Sequence, residues 1–591
     1  LKSTGQVQNI APEAIRSGKY RTLRTAPLMF SPVEPHTLYF ATNVLFRTTS
    51  GGESWDIISP DLSRELPEVP ANIGIFRTRE MASQPRRGTI YALSPSSIET
   101  GIIWAGTDDG LVHLTRDGGL LWKNVTPPAL TAWSKVAGIE AGHFDRGTAY
   151  MAVNRIRLDD MRPHIYRTHD GGTSWSEIVK GLPPDGPVNV VREDPVRAGL
   201  LYAGTERAVY VSFDDGLNWK PLRLNMPATS IRDLVIHDDD IVVGTHGRSF
   251  WILDAITPLR QLGKSGRPSG TLLFAPSAAY RVRWNLNTDT PLPPDEPSGE
   301  NPPDGAVIDY YLDHDADSVR LDIFDQSDHL LRTYSSTDRP DTVNERDLRI
   351  SPFWVSRPAI LSSRGGMHRF VWDLHLAPPE GFRRWYSIAA TPYHTSPQPK
   401  GPWVQPGTYT VTLHAGGRKF SQPITVRMDP RVNTPSVKLQ EQYSLSMECY
   451  EGMHRIYKAV VQVHKLRNGI HSLAGTINNP RWNDSLSSLD KKLGMLEGSD
   501  GSDDMDIVYF SVGGVRAAEE TFNGVETKLL YLMMLLQSAD APATRAQIAA
   551  VADQQQVVQG LLQRWDSIRT GDVAELNKNL VKLGVAPLKT D

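Results

Sequence analysis

The chain reads as mainly β, with β-propeller blades followed by a β-sandwich and a C-terminal α-helical bundle. Three observations carry this: a motif repeated four times, short strands grouped in fours around it, and a change of hydrophobic period after Thr434. The motif copies are Thr48-Thr-Ser-Gly-Gly-Glu-Ser-Trp55, Thr115-Arg-Asp-Gly-Gly-Leu-Leu-Trp122, Thr168-His-Asp-Gly-Gly-Thr-Ser-Trp175 and Ser212-Phe-Asp-Asp-Gly-Leu-Asn-Trp219. The shared form is Ser/Thr-x-Asp-x-Gly-x-x-Trp, with Ser50 in the place of Asp117, Asp170 and Asp214. These residue types suit a tight hairpin: the Asp accepts backbone N–H bonds across the turn, Gly permits positive φ, and Trp packs the next strand onto the sheet. An acid needed for chemistry would not recur at the same turn of every repeat, so the motif aspartates read as fold residues.

The text between motifs defines the repeat. The second copy reads as strands Thr89–Leu93, Ile102–Gly106, Leu111–Thr115 and Trp122–Val125; the third as Gly138–Ala141, Ala149–Val153, His164–Arg167 and Trp175–Ile178. The fourth reads as Val188–Val191, Leu201–Gly204, Val209–Ser212 and Trp219–Leu222, and a first runs from Leu28 to Ile58. A fifth, through Leu234–His237, Ile241–Gly244 and Phe250–Leu253, lacks the motif. Four short alternating strands per unit predict propeller blades over residues 1–268. An incomplete ring would leave sheet edges at its two ends, so closure is expected from Leu1–Thr25 or from extra blades on another chain.

Residues 269–430 carry further β signals, at Thr271–Phe274, Ala279–Val282, Val307–Leu312, Val319–Phe324, Leu330–Tyr334, His368–Asp373, Thr408–His414 and Phe420–Val426. They read as a sandwich. The stretch Pro291–Gly305 is too rich in Pro and Gly for regular structure. An insertion, Ala377–Pro402, holds Phe382, Arg383, Arg384, Trp385, Tyr386 and Tyr393, and is either a loop anchored by its aromatics or an arm over a ligand face. The pair Gly366-Met-His-Arg-Phe-Val-Trp-Asp373 and Val404-Gln-Pro-Gly-Thr-Tyr-Thr-Val411 resembles an Ig-like module similar to that of flagellar hook-capping proteins.

In residues 431–591 the apolar period becomes helical, first through Leu439, Tyr443, Met447, Tyr450, His454, Tyr457, Val461 and His464. Leu486, Leu489, Leu493 and Leu496, then Ala517–Gln537 and Thr544–Ile568, complete a four-helix set. His454 and His464 stand about 80° apart around a helix, which favours packing or solvation over metal binding.

With 591 residues the chain exceeds one ordinary core. No apolar run approaches a membrane span. A net charge of −4 with mixed signs excludes an electrostatic nucleic-acid binder. The single cysteine, Cys449, rules out an intrachain disulfide and a cysteine metal cluster, and reads as a packed helix residue. Asp313-His-Asp-Ala-Asp317 begins like a calcium loop but lacks the Gly and distal Glu, and reads as a solvated turn. His-Glu-x-x-His, Gly-x-Ser-x-Gly, P-loop and dinucleotide patterns are missing, so no metal or cofactor is expected.

Chemistry is expected at the turns between second and third strands, opposite the motif turns. Aligned there are Asn43, then Asp108 and Asp109, then Asn154 and Arg155, then Glu206 and Arg207, then His246 and Arg248. Unlike polar groups at equivalent positions around one rim are what a ligand site needs; charged loop tips that serve solubility would look the same. Asp108, Asp109 and Glu206 are the catalytic candidates, since glycoside hydrolysis uses one protonated and one ionised carboxylate. Arg248 is suited to gripping an acidic sugar.

The four motifs resemble the bacterial-neuraminidase repeats, or Asp-boxes, of sialidases, sortilin-type receptors and xyloglucan-degrading hydrolases. Trp104-Ala-Gly-Thr-Asp-Asp-Gly-Leu-Val-His113, Tyr202-Ala-Gly-Thr-Glu206 and Gly244-Thr-His-Gly-Arg-Ser-Phe-Trp-Ile-Leu-Asp254 resemble large secreted bacterial proteins described as BNR-repeat glycosyl hydrolases or sortilin-like. That resemblance implies a secreted or periplasmic protein, and relatives with a secretion signal and more blades upstream. The start at Leu1-Lys-Ser, without Met or a signal-like segment, reads as a mature or C-terminal portion. By resemblance Asp108 matches an aspartate of the xyloglucan-active enzymes, whose second aspartate lies in another half of a double propeller. Two functions follow: a binding or scaffold protein for a glycan, peptide or partner subunit, favoured because no complete catalytic set is present, or a glycoside hydrolase.

Overall fold

The computed structural model describes residues 3–12, 18, 20–66, 68–78, 86–283, 299, 301–339, 343, 345, 348, 350–356, 360–382, 384–387, 395–474, 480–498 and 520–589. The chain is mainly β, built from several small antiparallel sheets with a few helices, and divides into two compact units, Leu1–Ser269 and Gly270–Asp591.

In the first unit, β1 (Leu28–Phe30), β2 (Leu38–Ala41), β3 (Leu45–Thr48) and β4 (Asp56–Ile57) form one four-stranded sheet in sequence order. The second holds β5 (Ile90–Pro95), β6 (Ile103–Thr107), β7 (Val112–Thr115) and β8 (Lys123–Asn124). The third holds β9 (Lys135–Ala141), β10 (Ala149–Asn154), β11 (Ile165–Thr168) and β12 (Ser176–Glu177). The fourth holds β13 (Val188–Glu193), β14 (Leu201–Thr205), β15 (Val209–Ser212) and β16 (Lys220–Pro221). The fifth has three strands, β17 (Ser230–His237), β18 (Asp240–His246) and β19 (Phe250–Leu253). Inner strands pack in succession, β2 on β5, β5 on β9, β9 on β13 and β13 on β17, which is a propeller-like order. Among the described residues no packing like that of β5 on β9 joins the fifth sheet to the first.

Each motif turn is built as its residue types require. Asp117 Oδ1 accepts from Leu121 N at 3.0 Å, Asp170 Oδ1 from Ser174 N at 2.9 Å and Asp214 Oδ1 from Asn218 N at 2.9 Å; Ser50 Oγ accepts from Ser54 N at 3.0 Å. The Leu121 amide and the Thr115 hydroxyl hold the Asp117 carboxyl below its ordinary value. The Ser174 hydroxyl, then its amide, hold Asp170 at about 2.

The motif tryptophan precedes the fourth strand, and its indole Nε1 donates to a carbonyl of the preceding segment: Trp122 to Ile58 at 2.8 Å, Trp175 to Val125 at 2.9 Å, Trp219 to Ile178 at 2.8 Å and Trp55 to Ile10 at 2.7 Å. The second motif glycine faces the same residue. A Cβ on Gly119 would stand 2.3 Å from the Ile58 carbonyl oxygen; one on Gly172 would meet Val125, on Gly216 Ile178 and on Gly52 Ile10. The reason is steric: only a glycine leaves room for the neighbouring sheet's outer strand. The motif therefore joins sheets as well as turning hairpins.

The second unit has a three-stranded sheet of β20 (Leu272–Leu273), β22 (Ala306–Leu312) and β25 (Gly366–Trp372). A five-stranded sheet runs β21 (Ala279–Arg281), β27 (Arg418–Met428), β26 (Gly407–Ala415), β23 (Val319–Phe324) and β24 (Leu330–Ser335), with β21 and β27 parallel. Helices span Ser436–Ala474, Pro480–Glu497, Phe522–Leu536, Arg545–Ser567 and Ala574–Lys582, the last two joined by a π-helical stretch, Ile568–Val573. The long first helix packs on the three that follow it. One apolar core runs from Ile308, Leu321, Trp372 and Val411 in the sheets to Cys449, Met453, Leu529 and Leu561 in the helices. Arg281, almost wholly buried, bonds Asp540 at 2.7 Å and the Val404 carbonyl at 3.0 Å, and the Arg283 guanidinium pairs in charge with Asp540, its Nε 3.0 Å from the carboxylate.

Residues 377–382 of the expected arm are anchored: Tyr450 donates to the Ala377 carbonyl at 2.9 Å and Phe382 packs against the core. Arg383 and Tyr393 lie outside the described residues, as do most of Pro291–Gly305 and the start of Ala517–Gln537. On helix Phe522–Leu536, Glu526 Oε1 has no hydrogen-bond partner among the described residues, and burial pushes the carboxyl up to about 7. Asp313 accepts from the Thr271 hydroxyl and Asp315 from Gly365 N at 2.7 Å, so that acidic run closes turns.

Candidate functional site

Successive hairpins of an antiparallel sheet lie at opposite ends of its strands. Motif turns join third to fourth strands, so the turns between second and third strands share the other end with the crossovers from sheet to sheet. One hydroxyl or amide device shapes these turns. Thr42 Oγ1 accepts from Val44 N at 3.1 Å, Thr107 Oγ1 from Leu111 N at 2.8 Å, Thr205 Oγ1 from Ala208 N at 3.1 Å and Thr245 Oγ1 from Arg248 N at 3.2 Å. Asn154 Oδ1 does the same for Ile156 N at 3.0 Å. The recurrent Gly-Thr is thus explained by turn geometry.

Asp108 and Asp109 stand together in one polar cluster. Asp108 Oδ1 accepts from Thr89 N at 2.8 Å, and Oδ2 lies 3.3 Å from Arg157 Nη1. Asp109 Oδ1 accepts from the Thr107 hydroxyl at 2.5 Å and Oδ2 from Arg64 N at 2.9 Å. Burial raises the Asp109 pKa, with the Thr107 and Arg64 bonds opposing it. The Asp109 carbonyl accepts from Arg64 Nε at 2.8 Å and from Trp133 N at 3.1 Å. The Arg157 guanidinium lies 5.8 Å from the Trp133 ring centroid, and Trp133 has φ of 66°, a left-handed conformation costly for a bulky residue. Two carboxylates, two arginines and an aromatic ring thus converge.

Glu206 belongs to another network. Asn154 Nδ2 donates to Asn189 Oδ1 at 2.8 Å, Asn189 Nδ2 to Glu206 Oε1 at 2.9 Å, and Arg232 Nη1 lies 3.1 Å from the same oxygen. Burial alone would raise the Glu206 pKa, but its bond from Asn189 and the charges of Arg232 and His246 leave it lowered. Asp108 and Glu206 thus sit on non-neighbouring sheets with separate arginine partners.

The other rim residues differ in what they offer. Asn43 is buried and consumed by structure, accepting from Arg21 N at 2.8 Å and donating to Asp61 at 3.0 Å. Arg155 pairs with Asp160 at 3.3 Å and Arg207 with Asp185 at 2.7 Å. His246 and Arg248 are exposed on the last turn. Sequence reasoning missed Arg64, Trp133, Arg157 and Asn189. The first three lie on crossovers and an insertion that repeat alignment skips; Asn189 was visible as a polar residue inside a Val-Asn-Val strand.

At the motif end, Tyr150 donates to Asp215 at 2.6 Å, Arg167 bonds Asp215 at 2.8 Å, and Glu193 accepts from His143 N at 2.8 Å. Burial raises the pKa of Glu193. These groups join the third and fourth sheets. Among the described residues no group of three or more His, Cys, Asp or Glu is placed to hold a metal ion, and no helix is long and apolar enough to cross a membrane.

No family model matches the chain. A probable oligoxyloglucan-reducing end-specific xyloglucanase of Neosartorya fischeri is 23% identical over 214 residues, 34% of this chain and 24% of that protein. Its counterpart in Emericella nidulans is 21% identical over 215 residues, with the same coverage of 34% and 24%. Among solved structures, a GH74 xyloglucanase from Xanthomonas campestris matches 69% of this chain and 73% of its own at 14% identity, with a TM-score of 0.28. YCF48 bound to D1 peptide matches 40% and 86% at 14% identity, with a TM-score of 0.21. The chain spans about a quarter of the length of the curated relatives it matches.

Proposed function

We propose that the first unit is part of an Asp-box β-propeller in a secreted glycoside hydrolase, acting on a xyloglucan-type glycan at the rim around Asp108 and Asp109. The observation that carries this is the convergence of Asp108, Asp109, Arg157 and Trp133; the likeness to xyloglucanases supports the substrate class. Burial favours the protonated form of Asp109, which suits it to give a proton to the glycosidic oxygen. Asp108, oriented by the Thr89 amide and Arg157, is placed as the base that takes the proton of a water adding to the anomeric carbon. Trp133 offers a ring on which a sugar face stacks. In the second unit, we read the sheets as an Ig-like sandwich and the helices as a bundle that supports it, dividing the chain at 1–268, 269–430 and 431–591.

A second reading, a glycan- or peptide-binding scaffold of sortilin-like type, rests on the arginine partners that already neutralise Asp108 and Glu206. The test is to incubate the intact chain with xyloglucan oligosaccharides and follow reducing ends and binding together. Turnover lost in Asp108→Asn supports hydrolysis. Binding without turnover, weakened by Trp133→Ala, supports the scaffold. Neither turnover nor binding sinks both.

A further inference from the structure

We propose that Lys135, Tyr91 and Arg157 form a binding subsite for a carboxylate group beside Asp108, at the rim where the second and third sheets meet. Only the source of that group rests on the glycan reading: if the ligand is a glycan, the carboxylate belongs to a uronic-acid residue of it.

The place is marked by a repeated irregularity of the inner strands. In β5, Ile90 pairs with Thr107 and Ala92 with Gly106, so Tyr91 is an extra residue in the ladder. The same step recurs in β9, with Val136 on Val153 and Gly138 on Ala152, and in β13, with Val188 on Thr205 and Val190 on Gly204. In β17 it falls between Ile231 on Thr245 and Asp233 on Gly244. The extra residues are Tyr91, Ala137, Asn189 and Arg232, one from each sheet and no two alike. Each follows the pair made by the residue just before Asp108, Asn154, Glu206 or His246. A bulge re-aims the side chain that it carries, and here it does so beside the rim.

Where the fourth and fifth sheets meet, the chain itself fills this place with a carboxylate. Asn189 Nδ2 donates to Glu206 Oε1 at 2.9 Å and Arg232 Nη1 lies 3.1 Å from the same oxygen, so two bulge side chains grip one carboxyl group. Between the second and third sheets the grip is present without a carboxylate of its own. Ala137 is too short to reach a neighbour and is partly exposed. Lys135, two residues before it, sets Nζ 3.8 Å from the Tyr91 ring centroid. Arg155, Arg207 and Arg232 each have a carboxylate oxygen within hydrogen-bond distance, and Arg157 has that of Asp108 at 3.3 Å. Lys135 has none among the described residues, which leaves its charge for a ligand. Tyr91 reports the same field. Burial alone would raise its pKa, but the bond and charge of Lys135, the bond from Thr25 and the charge of Arg157 leave it lowered. The place thus favours negative charge before any ligand arrives. A bound carboxylate accepts from Lys135 and from the Tyr91 hydroxyl, as Glu206 accepts from Arg232 and Asn189.

The test uses the intact chain and two readouts. In the first, acylation of Lys135 by an amine-reactive acetyl ester is followed by peptide mass spectrometry, with the exposed Lys180 as control. Glucuronate should slow the reaction at Lys135 about threefold or more and leave Lys180 unchanged, while glucose protects neither. Acetate acting as well as glucuronate would support the subsite and assign it to free carboxylates; glucuronate acting alone would support it and assign it to a uronic acid. Protection by neither would overturn the proposal. In the second readout, calorimetry compares a glucuronate-bearing xyloglucan oligosaccharide with a neutral one of the same length. The acidic one should bind about tenfold more tightly. That advantage should vanish in Lys135→Met, and also in Ala137→Asp, where a carboxylate of the chain competes for the same partners. Equal affinities in the unmodified chain, or an advantage that survives both substitutions, would overturn the proposal. Glucuronate protection of Lys135 with no binding of either oligosaccharide would uphold the subsite and sink the glycan reading.

Discussion

Trp219 and Ile178 are tied across two sheets: the buried indole Nε1 donates to the Ile178 carbonyl at 2.8 Å, while the Ile178 side chain fills the space beside Gly216. This pair shows why the motif keeps both a glycine and a tryptophan.

Its energetic weight is testable. Trp219 is buried and Trp55 only partly so. Trp219→Ala should cost about 3–5 kcal/mol in denaturant unfolding, and Trp55→Ala roughly half as much. Equal losses would mean that the N-terminal latch is as closely packed as an inter-sheet one.

The paired glycines separate backbone strain from steric closure. Both Gly118 and Gly119 have positive φ, but a Cβ on Gly118 meets nothing within 4 Å. Gly118→Ala should therefore lose only about 1–2 kcal/mol, and Gly119→Ala clearly more, because the Ile58 carbonyl must move. Comparing the two midpoints decides it.

Glu526 predicts a pH slope. Its folded pKa of about 7 lies above the ordinary 4.5, so folding retains a proton that the unfolded chain releases. Stability should be full below about pH 4.5, fall as pH rises toward 7, and level off above, by on the order of 2–3 kcal/mol. Glu526→Gln should flatten that window. An unchanged slope in the variant would show that the carboxyl finds a partner in solution.

Arg281 and Asp540 form a buried ion pair linking β21 to the turn after helix Phe522–Leu536. Asp540→Ala leaves two arginines uncompensated and should destabilise the second unit by about 3–5 kcal/mol. Asp540→Asn, which keeps a hydrogen-bond acceptor, should lose less.

The repeated sheets were legible in the sequence because the motif fixes one hairpin in each, and alternation supplies the strands around it. The helices after Thr434 were legible for the same reason of period. The partner of each tryptophan was not: a hydrogen bond to a carbonyl such as Val125, some fifty residues earlier, leaves no local pattern. The rim was legible in part. Asp108, Asp109 and Glu206 stand where alignment put them, but Arg157 and Trp133 arrive from irregular segments whose direction no periodicity encodes. Asn43 and Asn154 looked like ligand groups and are spent on neighbouring turns and strands.

Cys449 lies buried in the core of the second unit, where burial pushes its thiol up to about 12. At neutral pH almost none of it is thiolate, and maleimides or oxidants reach it only through unfolding. For chemical labelling the native chain already behaves as if it were cysteine-free, so any thiol placed on its surface reports alone, and reaction at Cys449 becomes a clock for the opening of the core around it.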